Sequence, residues 1–328
     1  MADVRWGFLG AGSIATTMLG PVVHAAEGAA LYAAASRDPA RGSALNPTGP
    51  VYTSYDELLA DAAVEAVYIS LHNSVHAEWT LAALSAGKHV LCEKPLGLTA
   101  AELDDVQEAS TRCGRLVVEA LMYRWHSRVR LAEQLVVDGH IGRVQHVAAG
   151  FTFGGVAAGN YRLDPGLGGG ALYDIGCYAV SAALLAFGGS SAHDVAARIA
   201  TGATGVDVAA DLVLQFADGE AEVHVGMNEP ERQWLIVTGD AGEIELSQPA
   251  YTAWLGSDAH VLVSDGRGTE RIAVPDTDAY RVMVEEVSAA IRGDDAFVVP
   301  LAESRATAAV IDAAFASVRS DGEPVRPR

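Results

Sequence analysis

The chain has 328 residues, half of them hydrophobic, which is enough to bury two cores and more than a single core usually needs. Its 42 Asp and Glu residues against 22 Lys and Arg residues give a formal net charge of −20, which repels the phosphates of nucleic acids and anionic lipids. The three cysteines are scattered and indicate neither a disulfide framework nor a C-x-x-C metal clamp. We therefore expect two domains and no nucleic-acid or membrane partner.

The N-terminal segment carries no sign of export. The first residues, MADVRWGFLG, have the pattern of a strand rather than of a basic signal sequence. No apolar run approaches the roughly 20 residues that a membrane span requires. These features predict a cytoplasmic protein.

Residues 1–121 alternate short apolar runs with segments of helical period. The apolar runs are VRWGFLG, ALYAAAS, VEAVYISL, KHVLC and RLVVEA. Helices are predicted over Ser74–Ala86 and Thr99–Cys113, the second opened by Thr99 and Glu102 as a capping box. Alternating β and α units predict an α/β Rossmann domain, with a parallel sheet between two layers of helices.

Residues 122–328 have a different pattern. LVLQFADGEAEVHVGM and LIVTGDAGEIEL each contain a hairpin signal, at Asp218-Gly219 and near Ala241-Gly242. They predict a domain of the α+β class with a large, mostly antiparallel open sheet. The predicted helices are Tyr123–Asp138, Ala171–Leu185, Ala279–Arg292 and Leu301–Val318. The last two helices are free to pack back on the first domain.

A glycine-rich turn follows the first strand. Gly10, Gly12 and Ala15 form a G-x-G-x-x-A pattern between that strand and the first helix. Gly10 permits the tight turn, Gly12 lets the backbone approach a pyrophosphate, and Ala15 lets helix and strand pack closely. The helix N-terminus, with Ser13 and Ile14, supplies amide donors and a partial positive charge. The pattern predicts a dinucleotide site, although glycines also mark ordinary βα turns.

The end of the second strand bears on which dinucleotide is bound. This strand ends in Ser36-Arg37, with Asp38 one position further on. An Arg at this place accommodates the 2′-phosphate of NADP, whereas an Asp or Glu binds the ribose hydroxyls of NAD. We therefore predict NADP, while Asp38 leaves NAD open.

Lys94 follows the buried strand KHVLC at the carboxyl edge of the sheet, where open α/β folds bind ligands. A lysine partly desolvated beside a cofactor can take part in proton transfer or stabilise a developing alkoxide. The alternative is a lysine that only pairs with Glu93. The residues by themselves leave both interpretations open.

Tyr178 lies four residues after Asp174, so on a helix the two side chains share a face. A tyrosine has an ordinary pKa of about 10, which is high for a base at neutral pH, but a nearby Lys ammonium favours the phenolate. Tyr178 therefore fits either a base activated by Lys94 or simple packing on a helix face.

Three segments together resemble one protein family: GFLGAGSIA, NSVHAEWTLAALSAGKHVLCEKP and GGGALYDIGCY. They are similar to the Gfo/Idh/MocA oxidoreductases, and the match covers both halves of the chain. VEALMYRWH and YRLDPGLGGGALYDIGCY resemble the branch of dimeric dihydrodiol dehydrogenases and D-xylose 1-dehydrogenases. Tyr178 stands where much of the family has His, which counts against an inositol dehydrogenase. His72 stands where the family often has Pro.

The resemblance implies roles for several residues. It places Lys94 and Tyr178 beside the reacting carbon, with Asp174 as a third catalytic residue one helical turn before Tyr178. It places His76 near the nicotinamide and Tyr123-Arg124 by the cofactor. Further cofactor contacts are implied for the segments that follow two strands of the first sheet: Leu71, His72, Asn73, Glu93 and Lys94.

The resemblance also implies the reaction, which is hydride transfer between C1 of an aldose such as D-xylose and C4 of the nicotinamide. The expected substrate residues are Lys94, Arg162, Asp174 and Tyr178, with Asp164 as a further polar candidate. A keto-sugar or dicarbonyl reductase and a trans-dihydrodiol dehydrogenase are alternatives. A cofactor-sensing regulator without turnover is an alternative of another class, against which the presence of Lys94 and Tyr178 counts.

The antiparallel sheet is expected to pair with another copy of the chain. Strands such as ADLVLQF and AEVHVGM carry apolar residues on a face that needs cover, and members of the family usually pair through this sheet. We expect a homodimer or a homotetramer. His72 and His76 have an i,i+4 spacing but no third ligand, so no metal is expected.

Overall fold

The computed structural model describes residues 2–252 and 254–328. The chain forms two compact units. The first comprises Met1–Met122 and Asp278–Leu301, and the second comprises Tyr123–Thr277 and Ala302–Arg328. The chain first passes from the first unit to the second after Met122, and the sequence analysis places the boundary after residue 121.

The described residues contain fourteen strands and nine α-helices. The strands are β1 (Val4–Leu9), β2 (Ala29–Ala35), β3 (Val51–Tyr52), β4 (Ala66–Ile69), β5 (His89–Cys92), β6 (Val117–Glu119), β7 (Val144–Thr152), β8 (Asp194–Thr201), β9 (Asp207–Gln215), β10 (Glu220–Gly226), β11 (Arg232–Gly239), β12 (Gly242–Leu246), β13 (His260–Asp265) and β14 (Gly268–Ala273). The helices are α1 (Gly20–Ala25), α2 (Pro39–Ser43), α3 (Tyr55–Ala60), α4 (His76–Ser85), α5 (Ala100–Cys113), α6 (Ser127–Val137), α7 (Cys177–Ala186), α8 (Ala279–Ile291) and α9 (Leu301–Arg319).

The first unit is built on a parallel sheet of six strands with the order β3-β2-β1-β4-β5-β6. Its central strands are buried along their length, because helices cover both faces, and they therefore appear in the sequence as continuous apolar runs. The strand order reverses between β1 and β4, and in such sheets ligands bind beyond the carboxyl ends at this point. The predicted Rossmann fold is confirmed.

Two further elements complete the first unit, and of these only helix α8 is predicted from the sequence. Strand β3 is only two residues long, too short to form an apolar run. Helix α8 comes from the C-terminal part of the chain and packs against α1 and β2. The indole Nε1–H of Trp6 donates to the Ser288 hydroxyl over 3.1 Å, which ties α8 to β1.

The second unit is built on a sheet of eight strands with the order β14-β13-β12-β11-β7-β10-β9-β8. The pair β7–β10 is parallel and the other neighbouring pairs are antiparallel. Both predicted hairpins are present, as β9–β10 and β11–β12. The mostly antiparallel C-terminal sheet is therefore confirmed.

Helix α7 covers one face of this sheet by packing on β7 and β10. Along β10, Val223 and Val225 are buried on the helix side, while Glu222 and His224 alternate with them on the other face. A turn of π-helix, Leu172–Gly176, precedes α7, so the predicted helix Ala171–Leu185 begins with a widened turn.

The predicted helix Tyr123–Asp138 begins later than the sequence indicates. Residues Met122–Trp125 form a 3₁₀ turn, and α6 starts at Ser127. The imidazole Nδ1 of His126 accepts a hydrogen bond of 3.2 Å from the backbone N–H of Arg128 and so caps the helix. Imidazole is a less common cap than Ser, Thr, Asp or Asn, so the sequence does not predict that α6 starts at Ser127.

Among the described residues, the helical segment Pro165–Ala186 has the length and apolar composition of a membrane span. Within that segment, 89% of the most apolar window is buried inside the protein. One such helix is weak evidence for a membrane span. A buried core helix passes the same test.

Candidate functional site

The turn after β1 is held against the chain that follows β4. Gly10 has a φ of +95°, and a Cβ atom there would lie 2.8 Å from the carbonyl oxygen of Ser70. A Cβ atom at Gly12 would lie 3.5 Å from the same carbonyl oxygen, so a ligand can approach the backbone of Gly12 from its exposed side. Ala15 is fully buried at the third position of the pattern, between the helix and the sheet. This geometry is that of a pyrophosphate-binding loop, with Ser13 and Ile14 in the first turn of the helix.

The residues after β2 distinguish between the two cofactors considered for this site. The carboxylate of Asp38 accepts a hydrogen bond of 3.0 Å from the Ala40 N–H and caps α2. The hydroxyl of Ser36 accepts one of 3.2 Å from the Asp38 N–H, and Arg37 is exposed. Because the Asp38 carboxylate is used as a helix cap, this segment favours a phosphate ligand over ribose hydroxyls.

Arg41 is a candidate that the sequence analysis does not identify. It lies on α2, and its guanidinium donates over 2.5 Å to the carbonyl oxygen of Ala11 in the phosphate loop. A second cation therefore lies in direct contact with the loop, four residues after Arg37. The signal in the sequence is the spacing R-D-P-A-R, which places both cations on one short turn only once α2 is known to form.

His76 links the ends of β4 and β5. Its ring is 1% exposed, with Nδ1 2.8 Å from the carbonyl oxygen of Pro95 and Nε2 3.2 Å from that of Leu71. Burial lowers the pKa of His76 to about 4, and the charge of Lys94 acts in the same direction. The ring is therefore neutral at physiological pH. Since a neutral imidazole carries one N–H, it donates to one of these two carbonyls and packs against the other.

The Glu93-Lys94-Pro95 segment follows β5 at the carboxyl edge of the sheet. The Tyr68 hydroxyl donates to the Glu93 carboxylate over 2.6 Å, and burial raises the pKa of Glu93. The charge of Lys94 opposes that rise, so the two side chains are close enough to interact electrostatically. Lys94 itself is half-buried.

Tyr68 and Tyr280 are further residues near Lys94 that the sequence does not reveal. Burial raises the pKa of Tyr280, on α8; the Glu93 carboxylate adds to the rise and Lys94 opposes it. The 3.0 Å bond from the Leu96 N–H to the Glu119 carboxylate fixes the end of the segment. Tyr68, on β4, thus contacts Glu93, and Tyr280, on α8, interacts electrostatically with Glu93 and Lys94.

In the second unit, Tyr178 lies on α7 within a cluster of aromatic rings. Its ring centroid is 5.9 Å from that of Tyr123, 5.8 Å from that of Phe151 and 5.9 Å from that of Tyr251. The Tyr123 hydroxyl is 3.0 Å from that of Ser181. The Tyr178 ring can pack in this cluster while its hydroxyl has a chemical role, because the neighbouring rings orient the phenol.

Asp174 and Arg162 are brought together. The Nε–H of Arg162 donates to the Asp174 carboxylate over 2.6 Å, and the Asp174 side chain is only 4% exposed. The carbonyl oxygen of Arg162 accepts from the Gly170 N–H over 3.0 Å, and a Cβ atom at Gly169 would lie 2.5 Å from it. The glycines before the helix therefore allow the Arg162 backbone to lie against the start of the helix.

Arg124 and Asp164 have partners within the second unit. The Arg124 guanidinium is 1% exposed and forms ion pairs with Glu303 and, over 4.0 Å, with Glu133. The Asp164 carboxylate accepts from the Gly166 N–H over 2.8 Å in a short turn. The expected contacts of Tyr123 and Arg124 with cofactor, and of Arg162 and Asp164 with substrate, stay predictions.

His146 has neighbours that lie on another strand. On the face of the second sheet away from α7, its ring is near Glu220 and Glu222, and the three ligand atoms lie within 4.8 Å of one another. The sequence assigns no role to His146, because the carboxylates belong to β10 and the histidine to β7. His72, which was considered as a metal ligand with His76, instead has Nδ1 3.1 Å from the Ser74 hydroxyl.

Comparison with protein families identifies both parts of the chain. Residues 4–120 match the GFO_IDH_MocA model, described as an oxidoreductase family with an NAD-binding Rossmann fold. Residues 129–245 match the GFO/IDH/MocA C-terminal domain.

Similar proteins include two sequence relatives and one solved structure. A D-xylose 1-dehydrogenase (NADP(+)) from Haloferax volcanii is 38% identical over 97% of this chain and 98% of its own. A trans-1,2-dihydrobenzene-1,2-diol dehydrogenase from Bos taurus is 31% identical over 76% of each chain. A 3-ketoreductase from Actinomadura kijaniata, crystallised with NADP and TDP-benzene, has a TM-score of 0.89 at 27% identity, covering 96% of this chain and 97% of its own.

The histidines buried in this structure predict a pH dependence of stability. Burial lowers the pKa of His76, His89 and His126 to about 4, whereas in an unfolded chain a histidine titrates near ~6.5. Between these values the unfolded state binds more protons, so stability falls as the pH falls through this window. We expect the melting temperature, followed by circular dichroism, to drop from about pH 7 to about pH 4, and to drop less in His76→Gln.

The matched control is His224→Gln. Asp211 and Glu229 raise the pKa of His224 against the effect of its burial, so His224 stabilises the folded chain below its unfolded pKa. Its removal should make the loss on acidification steeper. An identical slope in His76→Gln and the parent would contradict the neutral, buried state assigned to His76.

Proposed function

Because the chain belongs to the Gfo/Idh/MocA family of NAD(P)-dependent oxidoreductases, we propose that it is an NADP-dependent aldose 1-dehydrogenase acting on D-xylose-like sugars. The observation that carries the proposal is the agreement between two features. Asp38 caps a helix, which leaves Arg37 and Arg41 for a phosphate. A relative that matches 97% of this chain is itself a D-xylose 1-dehydrogenase (NADP(+)).

The first unit has the groups that NADP needs. The phosphate loop offers the helix N-terminus and the open side of Gly12 to a pyrophosphate. Ser36, Arg37 and Arg41 are the groups we assign to the 2′-phosphate, since guanidinium matches phosphate geometry. The further proposed cofactor contacts are Leu71, His72, Asn73, His76, Glu93, Lys94, Tyr123 and Arg124.

Tyr178 is the proposed general base, which removes the proton from the C1 hydroxyl. Lys94 supplies positive charge that favours the phenolate and stabilises a developing alkoxide. NADP, held by the phosphate loop and the residues after β2, would supply the hydride acceptor for C1. Asp174 and Arg162 are the proposed polar contacts of the sugar, and reduction of a carbonyl reverses the proton transfer. The protein thus contributes position and charge.

A second candidate function is the reduction of a keto-sugar. It is favoured by the structural similarity to a 3-ketoreductase crystallised with NADP and TDP-benzene. The similarity to a trans-1,2-dihydrobenzene-1,2-diol dehydrogenase makes dihydrodiols a third candidate substrate class. All three reactions use the same hydride and proton transfers and differ in the substrate.

The test is the absorbance of the reduced nicotinamide, followed with NADP and NAD against aldoses, keto-sugars, dicarbonyls and dihydrodiols in both directions. Turnover of aldoses with NADP supports the proposal. Turnover confined to keto-sugars would replace it with the reductase. Tight cofactor binding with no turnover across the panel would favour the cofactor-sensing regulator.

Replacement of Lys94 separates chemistry from cofactor binding. We expect Lys94→Ala to lower kcat by about 100-fold or more, the usual contribution of an acid–base group, with little change in the Kd of NADPH. Steady-state kinetics measure kcat, and titration followed by NADPH fluorescence measures the Kd of NADPH. Arg112→Ala, an exposed cation on α5, is the control and should match the parent. A kcat within twofold of the parent would remove Lys94 from the mechanism.

The two cations after β2 predict the cofactor preference. We expect Arg37→Ala and Arg41→Ala each to raise the Kd of NADP by about 10-fold, because each removes a charge-assisted bond to the 2′-phosphate. The Kd of NAD should stay within about twofold, since NAD lacks that phosphate. Isothermal titration calorimetry measures both constants. Equal weakening of NADP and NAD would show that these residues act on the loop rather than on the phosphate.

We also propose that the chain is a homodimer or homotetramer that pairs through the second sheet. On the face away from α7, Trp234 of β11 lies directly over Gly150 of β7, and Ile236 follows on the same face. Multi-angle light scattering should give at least twice the mass of one chain. Trp234→Glu should reduce the mass, because it places a charge in the pairing surface. A monomeric parent protein would contradict the proposal.

A further inference from the structure

The Arg162–Asp174 ion pair is built into the second unit by several independent contacts. Asp174 is buried, and its bond to the Arg162 Nε–H measures 2.6 Å. Arg162 is 30% exposed, and its guanidinium carbon lies 4.9 Å from the centroid of the Tyr161 ring. A charged pair this close to the protein interior is costly unless its geometry is well defined. The surrounding chain supplies that definition.

The loop before α7 fixes the backbone of Arg162. The Gly170 N–H donates to the Arg162 carbonyl and the Gly169 N–H to the Asp164 carbonyl, over 3.0 and 2.9 Å. Side chains at these glycines have no room: a Cβ atom at Gly170 would lie 2.0 Å from the Asp207 carboxylate. Asp207, itself buried, accepts from the N–H at the start of the helical segment over 2.6 Å. Arg162 is therefore held at a fixed place beside the turn that carries Asp174.

Tyr178 follows Asp174 by four residues and is within electrostatic reach of Arg162. Burial lowers the pKa of Arg162, but Asp174 raises it, and Tyr161 and Tyr178 contribute to the rise. The interaction is reciprocal. The ionised phenol of Tyr178 stabilises the charged guanidinium of Arg162, and the guanidinium stabilises the ionised phenol.

The aromatic rings packed against Tyr178 supply no positive charge to it. Burial raises the pKa of Tyr123 to about 12 and also raises that of Tyr251, so both phenols are neutral, and Phe151 cannot titrate. Two further cations lie behind these rings. Arg124 is paired with Glu303, and Arg128 donates to the backbone carbonyls of Ser247, Pro249 and Ala250.

We propose that Arg162 is a positioning residue for Tyr178: anchored by Asp174 and the glycine loop, its guanidinium stabilises the phenolate that removes the substrate proton. This inference rests on the proposed function and changes the role of Arg162 from a substrate contact to a partner of the base. In the oxidation, the hydroxyl O–H bond breaks and its proton passes to the phenolate, while the hydride from the same carbon reduces NADP. Arg162 exchanges no proton, because a guanidinium stays charged throughout.

The decisive variant is Arg162→Gln, compared with Arg162→Lys and with Arg319→Gln as an exposed control. We expect the acidic limb of the kcat/KM profile to move to higher pH by about one unit in Arg162→Gln, since a favourable neighbouring charge is lost. Arg162→Lys should restore at least half of the shift, and Arg319→Gln should leave the limb unchanged. A rise in KM with the limb unmoved would assign Arg162 to substrate binding and overturn the inference.

A second measurement needs no substrate. The ultraviolet difference absorbance of tyrosinate, taken as each protein minus its Tyr178→Phe counterpart, follows the ionisation of Tyr178 alone. It should move to higher pH in Arg162→Gln and return towards the parent in Arg162→Lys. If this titration moves but no sugar is turned over, the proposed function fails and the inference stands. If Arg162→Gln does not fold, a full shift in Arg162→Lys, which keeps the charge, would overturn the inference.

Discussion

The site in the first unit depends on the contact between the phosphate loop and the backbone that follows β4. Gly10 adopts a positive φ, and the space of its missing side chain is taken by the Ser70 carbonyl. This contact joins the two strands on either side of the point where the strand order reverses. His76 extends the connection to β5 through the carbonyls of Leu71 and Pro95. Three strand ends are thus linked by a backbone contact and by the His76 side chain, which fixes the position of the Lys94 segment.

The second unit uses buried carboxylates for a similar purpose. Asp207 binds the N–H groups at the start of the helical segment before α7, and Asp174 holds Arg162. A buried carboxylate is tolerated when its oxygens accept hydrogen bonds, and each of these has such donors. Because both act on the same stretch, the helix start, the glycine loop and Tyr178 form one framework. A framework of this kind is rigid enough to orient the phenol of Tyr178. A tyrosine on the surface of an isolated helix would not be oriented in this way.

Several features of the protein follow from the sequence by itself. The apolar runs predict the parallel sheet, because strands buried on both faces have no alternation. Gly10 and Gly12 predict the phosphate loop, since their spacing and the flanking strand and helix are local properties. The hairpin turns predict the second sheet for the same reason. Family resemblance then identifies the Glu93-Lys94-Pro95 segment and Tyr178. In each case the signal lies within a few adjacent residues.

Only the tertiary structure decided how side chains are paired across the chain. The sequence left open whether Asp38 binds the ribose of NAD, and in the fold its carboxylate caps α2. Arg41 reaches Ala11, and Tyr280 reaches the Lys94 segment from the far end of the chain. Arg162 meets Asp174 because a glycine loop turns it back against the helix. Such contacts depend on packing and on hydrogen bonds between distant residues, and a sequence pattern specifies neither.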